Sequence, residues 1–452
     1  MDKTTQLIRL LAIFLLPGVL LPTTVSAQKE EQTKNEVSLS VQLRPRAEYR
    51  NGAYRPLQEG EAPAILINNR FRLNLDYNHS DLLKFHASLQ NVNIWGQSNQ
   101  VQISDPSGGM SVFEAYGDIK LGKTLRTKIG RQMIALDDDR LFGTLDWHPA
   151  GRSHDAVNFY TKNKKAEFQS WLAFNQNYKA GGLNINNPVG QFYSPTDAQP
   201  YQHMQLLYGK INITDKSYLS LLVNNLGFKT DDIKAGVVSS GKVHNMQTFG
   251  ANWFGTRGKL KTQVSAFYQS GKAANGKSKS AYLLSGSAGY QVSQPINLTV
   301  GIDYLSGDSA KSTASTTRVF DPLYGTHHKF YGFMDYYYVG NGHSNVGLAD
   351  AFLNLGYKYS AKTNWAVAAH WFNAAGKIVD GSKNKLSSNL GSEIDISFTH
   401  QLYPMVSVMG GYSTYFVSPS LKVVKNTPNA RNWQDWLWLS VNINPKIFSA
   451  RF

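Results

Sequence analysis

Cysteine is absent from the sequence, so the chain has neither a disulfide framework nor a thiolate metal site. Long apolar runs are missing as well, since none after Leu21 approaches the roughly 20 residues that a membrane-spanning helix needs. The net charge is +15, yet no basic helix or stacking platform accompanies it, which argues against a nucleic-acid partner. A chain with these absences can cross a membrane only as a closed β-barrel.

The first 27 residues have the pattern of a secretory signal peptide. Lys3 and Arg9 form a short cationic opening, residues 10–21 are apolar, and residues 25–27 are a small-residue exit. The alternative is an N-terminal anchor, which the short apolar core disfavours. We find no linker or composition shift further on, so we predict a signal peptide over residues 1–27 and one outer-membrane β-barrel over residues 28–452.

The remaining chain contains segments of about ten residues in which apolar and polar side chains alternate, as transmembrane strands do. The last alternates strictly from Trp436 to Ile443, and the chain ends on Phe452, an aromatic terminus that outer-membrane barrels present to their assembly machinery. Eighteen such segments are predicted, at residues 37–49, 68–78, 82–92, 111–121, 125–135, 153–162, 166–176, 201–211, 216–225, 245–255, 259–269, 279–290, 295–306, 347–359, 364–374, 390–400, 405–415 and 434–444.

The connections between these segments alternate in length. Every second one is a short turn, such as residues 79–81 or 122–124, whereas the others mostly run from about ten to forty residues. This asymmetry is typical of short periplasmic turns and long extracellular loops. We therefore predict an all-β fold, a closed antiparallel barrel of about 18 strands, in the outer membrane of a Gram-negative bacterium.

The polar faces of the first five strands are rich in charge. Lipid-facing charges at mid-bilayer cost about 2–4 kcal/mol each, so these faces must line the lumen. With Glu114, Asp118 and Lys120, the predicted lumenal set holds nine Lys or Arg against four Asp or Glu. Later strands instead turn Asp350 and two other acids, Glu393 and Asp395, inward, so a transverse field is expected, with a net preference for anions. The other members of the set are Arg44, Arg46, Glu48, Arg50, Arg70, Arg72, Asp76, Lys84, Arg126 and Lys128.

Alternation in the fifth strand would turn Arg131 toward lipid. Either the strand has already left the membrane there, or a bulge at Gly130 turns the side chain inward. We favour the bulge.

An ordered set of short motifs carries a resemblance to a known family. They are residues 43–50 (LRPRAEYR), 70–73 (RFRL), 130–132 (GRQ), 139–143 (DRLFG), 146–147 (DW), 151–155 (GRSHD), 320–328 (FDPLYGTHH) and 331–336 (YGFMDY). The chain resembles the alginate-export family of outer-membrane barrels over nearly all of its mature length. The resemblance implies an eighteen-stranded barrel with an Arg-rich lumen through which an acidic polysaccharide leaves the cell.

A polyuronate carries roughly one carboxylate per sugar, and guanidinium groups bind carboxylates bidentately. We expect five of the lumenal arginines, at positions 44, 46, 50, 70 and 72, to form a ladder for such a chain. In the alternative, the arginines pair with nearby acids and only hold the interior rigid; these acids are Glu48, Asp76, Glu114 and Asp155. The residues predicted at the outer mouth or constriction are Arg131, Arg140, Arg152, Asp155, His327, His328 and Asp335.

The connection over residues 307–346 is too long for a plain loop. Its aromatic core, residues 320–338, could fold back over the pore as a constriction or lid, with His327, His328 and Asp335 as polar contacts. It could equally pack against the rim of the barrel as an ordered hairpin. The sequence leaves both open.

Three local patterns suggest other chemistry and are set aside. Residues 271–278 match the phosphate-loop pattern, but a strand and not a helix follows them. The acids at 137–139 lack the spacing of a calcium loop. Residues 153–155 (Ser-His-Asp) are adjacent on a strand and point to opposite faces, so they cannot form a catalytic relay. We expect no enzyme, cofactor or metal site.

The predicted protein is a monomeric barrel that passively conducts an anionic saccharide polymer. A diffusion porin for small anionic nutrients is the first alternative, and a plugged barrel that binds partners through its loops is the second. A barrel enzyme acting on lipids would need a rim site for which no spacing is found. The expected partners are the saccharide, outer-membrane lipid, the barrel assembly machinery and, as candidates, periplasmic polysaccharide-secretion components.

Overall fold

The computed structural model describes residues 35–98, 109–175, 201–234, 237–310, 312–337 and 345–452, without the side chains of residues 230–234, 237–241 and 327. The predicted signal peptide lies outside these residues. Apart from the two-residue strand Thr316–Thr317, which pairs in parallel with Ser278 and Lys279, the chain forms within them one antiparallel sheet that closes on itself. Its strands are β1 (Asn35–Asn51), β2 (Ala64–His79), β3 (Leu83–Ile94), β4 (Ser111–Lys120), β5 (Leu125–Gln132), β6 (His154–Lys162), β7 (Ala166–Phe174), β8 (His203–Thr214), β9 (Ser217–Lys234), β10 (Val237–Arg257), β11 (Leu260–Lys272), β12 (Ser278–Gln291), β13 (Ile296–Leu305), β14 (Leu348–Lys358), β15 (Thr363–Asn373), β16 (Asn389–Tyr403), β17 (Val406–Val417) and β18 (Trp433–Ile443, continued by Lys446–Arg451).

The barrel closes where β1 meets both parts of β18. Residues 43–51 of β1 pair with Trp433–Ile443, and residues 36–40 pair with Lys446–Arg451. The second pairing has a register shift between Leu39 and Ser40. The chain ends are joined as well, because Asn35 and Phe452 exchange two backbone hydrogen bonds of 2.8 and 3.0 Å. A sheet closed in this way leaves no edge strand exposed to lipid. The prediction of eighteen strands in a closed antiparallel barrel is confirmed.

The two ends of the barrel differ as predicted. At one end, which we call the turn end, short turns at residues 80–82, 121–124, 163–165, 215–216, 258–259, 292–295, 359–362 and 404–405 join the strands, and both chain termini lie there. The opposite end, the loop end, carries most of the long connections, including residues 133–153 and 306–347. It also carries helix α1 (Pro419–Val424). Among the described residues, no helix is long and apolar enough to cross a membrane.

The hairpin of β9 and β10 is longer than predicted. The sequence suggested strands only at residues 216–225 and 245–255, but pairing continues to Lys234 and Val237, with a register shift between Ser239 and Lys242. Residues 226–244 lack a clean apolar face, which is why they were predicted as a loop. A hairpin that projects beyond the lipid needs no such face, since its backbone hydrogen bonds suffice to form the ladder.

The bulge predicted at Gly130 is wrong. Registers on both sides of β5 run without a shift, so Arg131 stays on the outward face with Ile129 and pairs with Asp155 at 2.8 Å. The irregularity lies one strand pair away, where β3 and β4 slip between Ser88 and Leu89. Because β5 ends at the residue after Arg131, the alternative that the strand is leaving the lipid at this point fits the structure.

Gly130 is nevertheless required where it stands. Its φ is +126°, and a Cβ there would collide with the carbonyl oxygen of Ala115 on β4. We expect Gly130→Ala to lower the free energy of unfolding by about 1–3 kcal/mol, since backbone strain of this kind costs that much. Urea unfolding of the reconstituted barrel, followed by tryptophan fluorescence, measures it.

Gly117→Ala on β4 is the matched control, because nothing lies within 4 Å of its added Cβ. A strand glycine in open space gains or loses at most about 1 kcal/mol on such a change. Equal effects of the two substitutions would contradict the close approach at Gly130.

Candidate functional site

Two of the loop-end connections fold into the barrel and meet there. The first, residues 133–153, places Asp137 against the inner face of β8–β10, where its carboxylate accepts hydrogen bonds of 2.8–2.9 Å from Tyr208, Ser220 and Asn252. The second, residues 306–347, reaches β16, where the backbone N–H of Met334 donates to Glu393 at 2.7 Å. We call the described residues of these two segments together the partition; they are residues 133–153, 306–310, 312–337 and 345–347.

The two segments of the partition are hydrogen-bonded to each other. The N–H of Tyr324 donates to the carbonyl of Leu141 at 2.9 Å, and the N–H of Gly143 donates back to Tyr324 at 3.0 Å. Phe142 and Tyr324 form a parallel bridge. Residues 320–337 therefore lie inside the barrel, and the alternative of a hairpin against the rim is wrong.

Asp146 of the partition faces a wall of arginines on β1 and β2. Its carboxylate lies 2.8 Å from Arg70, 3.2 Å from Arg44 and 3.5 Å from Arg72. The Arg70 side chain is 1% exposed, whereas that of Asp146 is 57% exposed. A single, partly accessible carboxylate thus shares three guanidinium groups.

A second carboxylate lies next to this group. Glu48 is buried on β1 and pairs with Arg46 at 2.9 Å and with Arg50 at 2.8 Å. It also accepts hydrogen bonds from the Asn68 amide and from the Trp436 indole N–H. We call the five arginines at positions 44, 46, 50, 70 and 72, with Glu48 and Asp146, the arginine cluster. Five guanidinium groups face two carboxylates in it, so positive charge is in excess.

Trp147 holds the partition against this wall. Its ring lies 4.2 Å from the Arg46 guanidinium on one side and stacks on His328 at 4.0 Å and 7°. Its edges meet the rings of Trp436 and Trp438 on β18. The position of Asp146 is therefore fixed by its neighbour in sequence.

The electrostatics of the partition follow from these contacts. Burial raises the pKa of the Asp146 carboxyl, but the charges of Arg70 and then Arg44 outweigh that effect and hold the pKa below its ordinary value. Burial, and then the charge of Arg46, lower the pKa of His148 below its ordinary value. At neutral pH, Asp146 is ionised and His148 is uncharged, so His148 adds no charge to the excess.

The wall formed by β13–β16 is acidic. Asp303 on β13 pairs with Arg140 of the partition at 2.8 Å, and Asp350 on β14 lies 3.0 Å from His370. Glu393 and Asp395 on β16 are both buried and face the backbone of Phe333 and Met334. This confirms the expected inward position of the acids on the later strands. Among the described residues, no group of three or more His, Asp or Glu side chains is arranged to hold a metal ion.

A cavity lies on each side of the partition. The one toward the loop end has a volume of ≈ 650 Å³ and is lined by Arg46, Arg50, Tyr54 and His148, among others. The one toward the turn end has a volume of ≈ 440 Å³ and is lined by residues of β10–β15 and by partition residues such as Arg140 and Phe330. We call them the loop-end and turn-end cavities.

The remaining predicted lumenal residues lie nearer to the turn end of the barrel than the arginine cluster does. Asp76 contacts His86 at 2.7 Å, Arg126 pairs with Asp118 at 2.9 Å, and Lys128 lies over the Tyr116 ring. Lys84 is exposed. These residues continue the basic side of the lumen toward the turn end.

The residues predicted for the outer mouth separate into three groups. Arg131 and Asp155 pair on the outward side of β5 and β6, with side chains 40% and 55% exposed. Inside the partition, Arg140 is buried against Asp303, Arg152 donates to the Gly325 carbonyl at 2.9 Å, and His328 lies 3.0 Å from Asp335. The side chain of His327 lies outside the described residues.

Sequence reasoning missed the roles of Asp146 and Asp303. Asp303 follows Asn297, Thr299 and Gly301 on the inner face of β13, so the alternation itself carried that signal. Asp146 stood in a recognised motif, but nothing in the sequence indicated that residues 133–153 fold inward. Its three arginine partners depend on that fold.

Comparison with known proteins agrees with the barrel. The family model described as alginate export matches residues 35–423. No curated protein sequence matches the chain significantly. Similar solved structures include OccAB4 of Acinetobacter baumannii (TM-score 0.62, 11% identity, 92% of this chain and 99% of that one). Two from Pseudomonas aeruginosa are OpdL (0.59, 12%, 91% and 99%) and the outer membrane protein OprD (0.57, 12%, 91% and 94%). At these identities the likeness concerns the fold.

Asp146 is the carboxylate whose removal should change the charge of the constriction most directly. One unit charge at about 7 Å in water is equivalent to about 0.6 kcal/mol. Removing it stabilises an anion and destabilises a cation by this amount, so we expect Asp146→Asn to raise the anion-to-cation permeability ratio roughly sevenfold. Reversal potentials under a salt gradient measure this ratio.

The matched control is Asp155→Asn, which makes the same charge change on the outward side of the wall. It should leave the ratio unchanged. If both variants shift the reversal potential equally, the current does not pass beside Asp146.

Proposed function

We propose that an anionic saccharide polymer is the solute of this protein, because the chain belongs to the alginate-export family of outer-membrane barrels. The protein is an outer-membrane channel of a Gram-negative bacterium. The proposal is that a polyuronate-like chain passes the arginine cluster and crosses the membrane without covalent chemistry. The short turns then face the periplasm and the long loops the outside.

The observation that carries this proposal is the ionised Asp146 carboxylate shared by Arg44, Arg70 and Arg72. Three guanidinium groups around one carboxylate are the environment that a uronate needs once it leaves water. Asp146 is itself accessible, so a carboxylate of the polymer can exchange with it. The arginines then keep a charge partner throughout the passage.

The excess of arginine over carboxylate favours such exchange. With Glu48 held by Arg46 and Arg50, the two carboxylates of the cluster leave a net positive charge near Asp146. A polymer with a carboxylate on each ring offers a second carboxylate as the first one leaves. Release therefore costs less than it would for a single anion, because one charge-assisted contact replaces another.

A diffusion channel for small saccharides or other small anions is the second candidate. The nearly complete burial of Arg46 and Arg70 and the separation of the two cavities by the partition favour it. The likeness to OccAB4 and OprD extends over the barrel and is compatible with either solute size. The length of solute that enters the pore distinguishes these candidates.

Single-channel current with oligouronates of increasing length tests the proposal. We expect block that strengthens with length and that weakens about tenfold in Arg44→Ala or Arg72→Ala, as the loss of one charge-assisted hydrogen bond implies. Arg131→Ala is the control, since it removes a guanidinium from the outward side of β5.

Each other result favours a different function. Equal block by a monomeric uronate and a hexamer would favour the small-solute channel. No current through folded barrels would favour a plugged barrel that binds partners at its loops. Cation-selective current that oligouronate leaves unchanged would exclude the arginine cluster as the conducting site.

A further inference from the structure

We propose that the turn-end cavity is a second saccharide subsite, which binds the uncharged, hydroxyl-bearing part of sugar rings. This inference rests on the proposed function and assigns different parts of the sugar to two sites. The arginine cluster on one side of the partition takes carboxylates, and the turn-end cavity takes ring faces and hydroxyl groups.

Aromatic rings line the cavity from the barrel wall and from the partition. Phe254 on β10 stacks on Tyr218 at 4.8 Å and 21°, so one of its faces is already packed against protein. Phe330 of the partition has the Arg140 guanidinium 4.1 Å from its ring. Both side chains are only partly buried. Part of each ring is therefore accessible to a ligand, and the apolar face of a pyranose is flat enough to pack on an aromatic ring.

Two carboxamides lie on neighbouring strands of the same cavity. Asn297 on β13 is opposite Gly356 in the ladder, and Asn354 on β14 is opposite Thr299, so both project from one patch of wall. Both residues are exposed. A Cβ on Gly356 would collide with the Asn297 amide, so the glycine provides the space in which that amide lies.

These two amides differ from other carboxamides in the lumen. Gln42 bonds to Asn442 at 2.7 Å, and Gln90 accepts a hydrogen bond from Arg72 at 2.8 Å. Over the described part of the chain, Asn297 and Asn354 have no such side-chain partner. A carboxamide offers both donors and an acceptor, which matches the hydroxyl groups of a sugar.

The charge of the cavity disfavours carboxylates. Its acids are Asp138, Asp303 and Asp350. Its Arg140 is already paired with Asp303 and Asp138, and its His370 lies 3.0 Å from Asp350. Lys329 is bonded to the carbonyl of Asp138 and lies 3.6 Å from Asp139. A uronate carboxylate would meet like charge here, whereas a neutral ring face would not. The subsite should therefore bind uncharged oligosaccharides as well as the uncharged face of a uronate chain.

Maltohexaose, an uncharged hexasaccharide, tests the subsite by transient interruption of single-channel current. We expect interruptions when it is added on the turn-end side. The dwell time should fall about tenfold in Asn297→Ala/Asn354→Ala, which removes two neutral hydrogen-bonding groups, and also in Phe254→Leu. Lys123→Cys, in a turn of a chain that has no cysteine, allows a bulky maleimide to mark the turn-end side of each inserted barrel.

The control variant is Asn442→Ala, which removes a lumenal carboxamide of β18 that does not line the cavity. It should keep the wild-type dwell time. Unchanged open-channel conductance and the gel-mobility shift of folded barrels show that the variants fold.

Two outcomes would overturn the subsite: no turn-side interruptions in the wild type, or dwell times in the variants equal to that of Asn442→Ala. The proposed function fails separately. If maltohexaose interrupts the current but oligouronates do so no better, the subsite stands and the polyuronate proposal does not.

Discussion

The need to pair every backbone N–H and C=O within lipid is the constraint on which the rest of the structure depends. It forces β1 to meet β18, and the exchange of hydrogen bonds between Asn35 and Phe452 completes that seam. Once the sheet is closed, alternation along each strand divides the side chains into an outer apolar set, such as Leu437 and Leu439, and an inner polar set.

Closure of the sheet also leaves a wide lumen, which the partition partly fills. Eighteen strands enclose a lumen too wide for opposing side chains to fill. The partition occupies part of it, and charged groups hold it there. Asp137 binds three strands, Arg140 binds Asp303, and Glu393 receives the N–H of Met334. Removing one partner of such a pair leaves a buried group unsatisfied, so these contacts fix the partition in one arrangement.

The strand pattern was readable because lipid imposes a strict period of two. Alternation grouped Arg44 and Arg46 on one face of β1 and Arg70 and Arg72 on one face of β2, and the cost of placing charge in lipid assigned those faces to the lumen. The pairing of those arginines was less accessible. Glu48 was foreseen as a partner because it lies on the same strand face, but Asp146 is distant in sequence and reaches Arg70 only through an inward loop. The path of a loop depends on tertiary contacts such as that of Trp147 with His328. The alternation of apolar and polar residues along the strands does not predict such contacts. The prediction of a bulge at Gly130 failed for a different reason. A glycine with positive φ can allow close approach of two backbones, here to Ala115, as well as form a bulge.

Trp147 has a consequence for the order of assembly. Its ring touches Arg46 on the first strand and Trp436 and Trp438 on the last, so one residue from the first third of the chain spans the seam. Slippage of the seam by one residue would turn both tryptophans outward and leave Trp147 without its contacts. The inward loop can therefore dock only on a barrel that has closed in the correct register. Docking of the inward loop and the register of closure are thus coupled, because the contacts of Trp147 with Arg46, Trp436 and Trp438 exist only in the register that the structure shows.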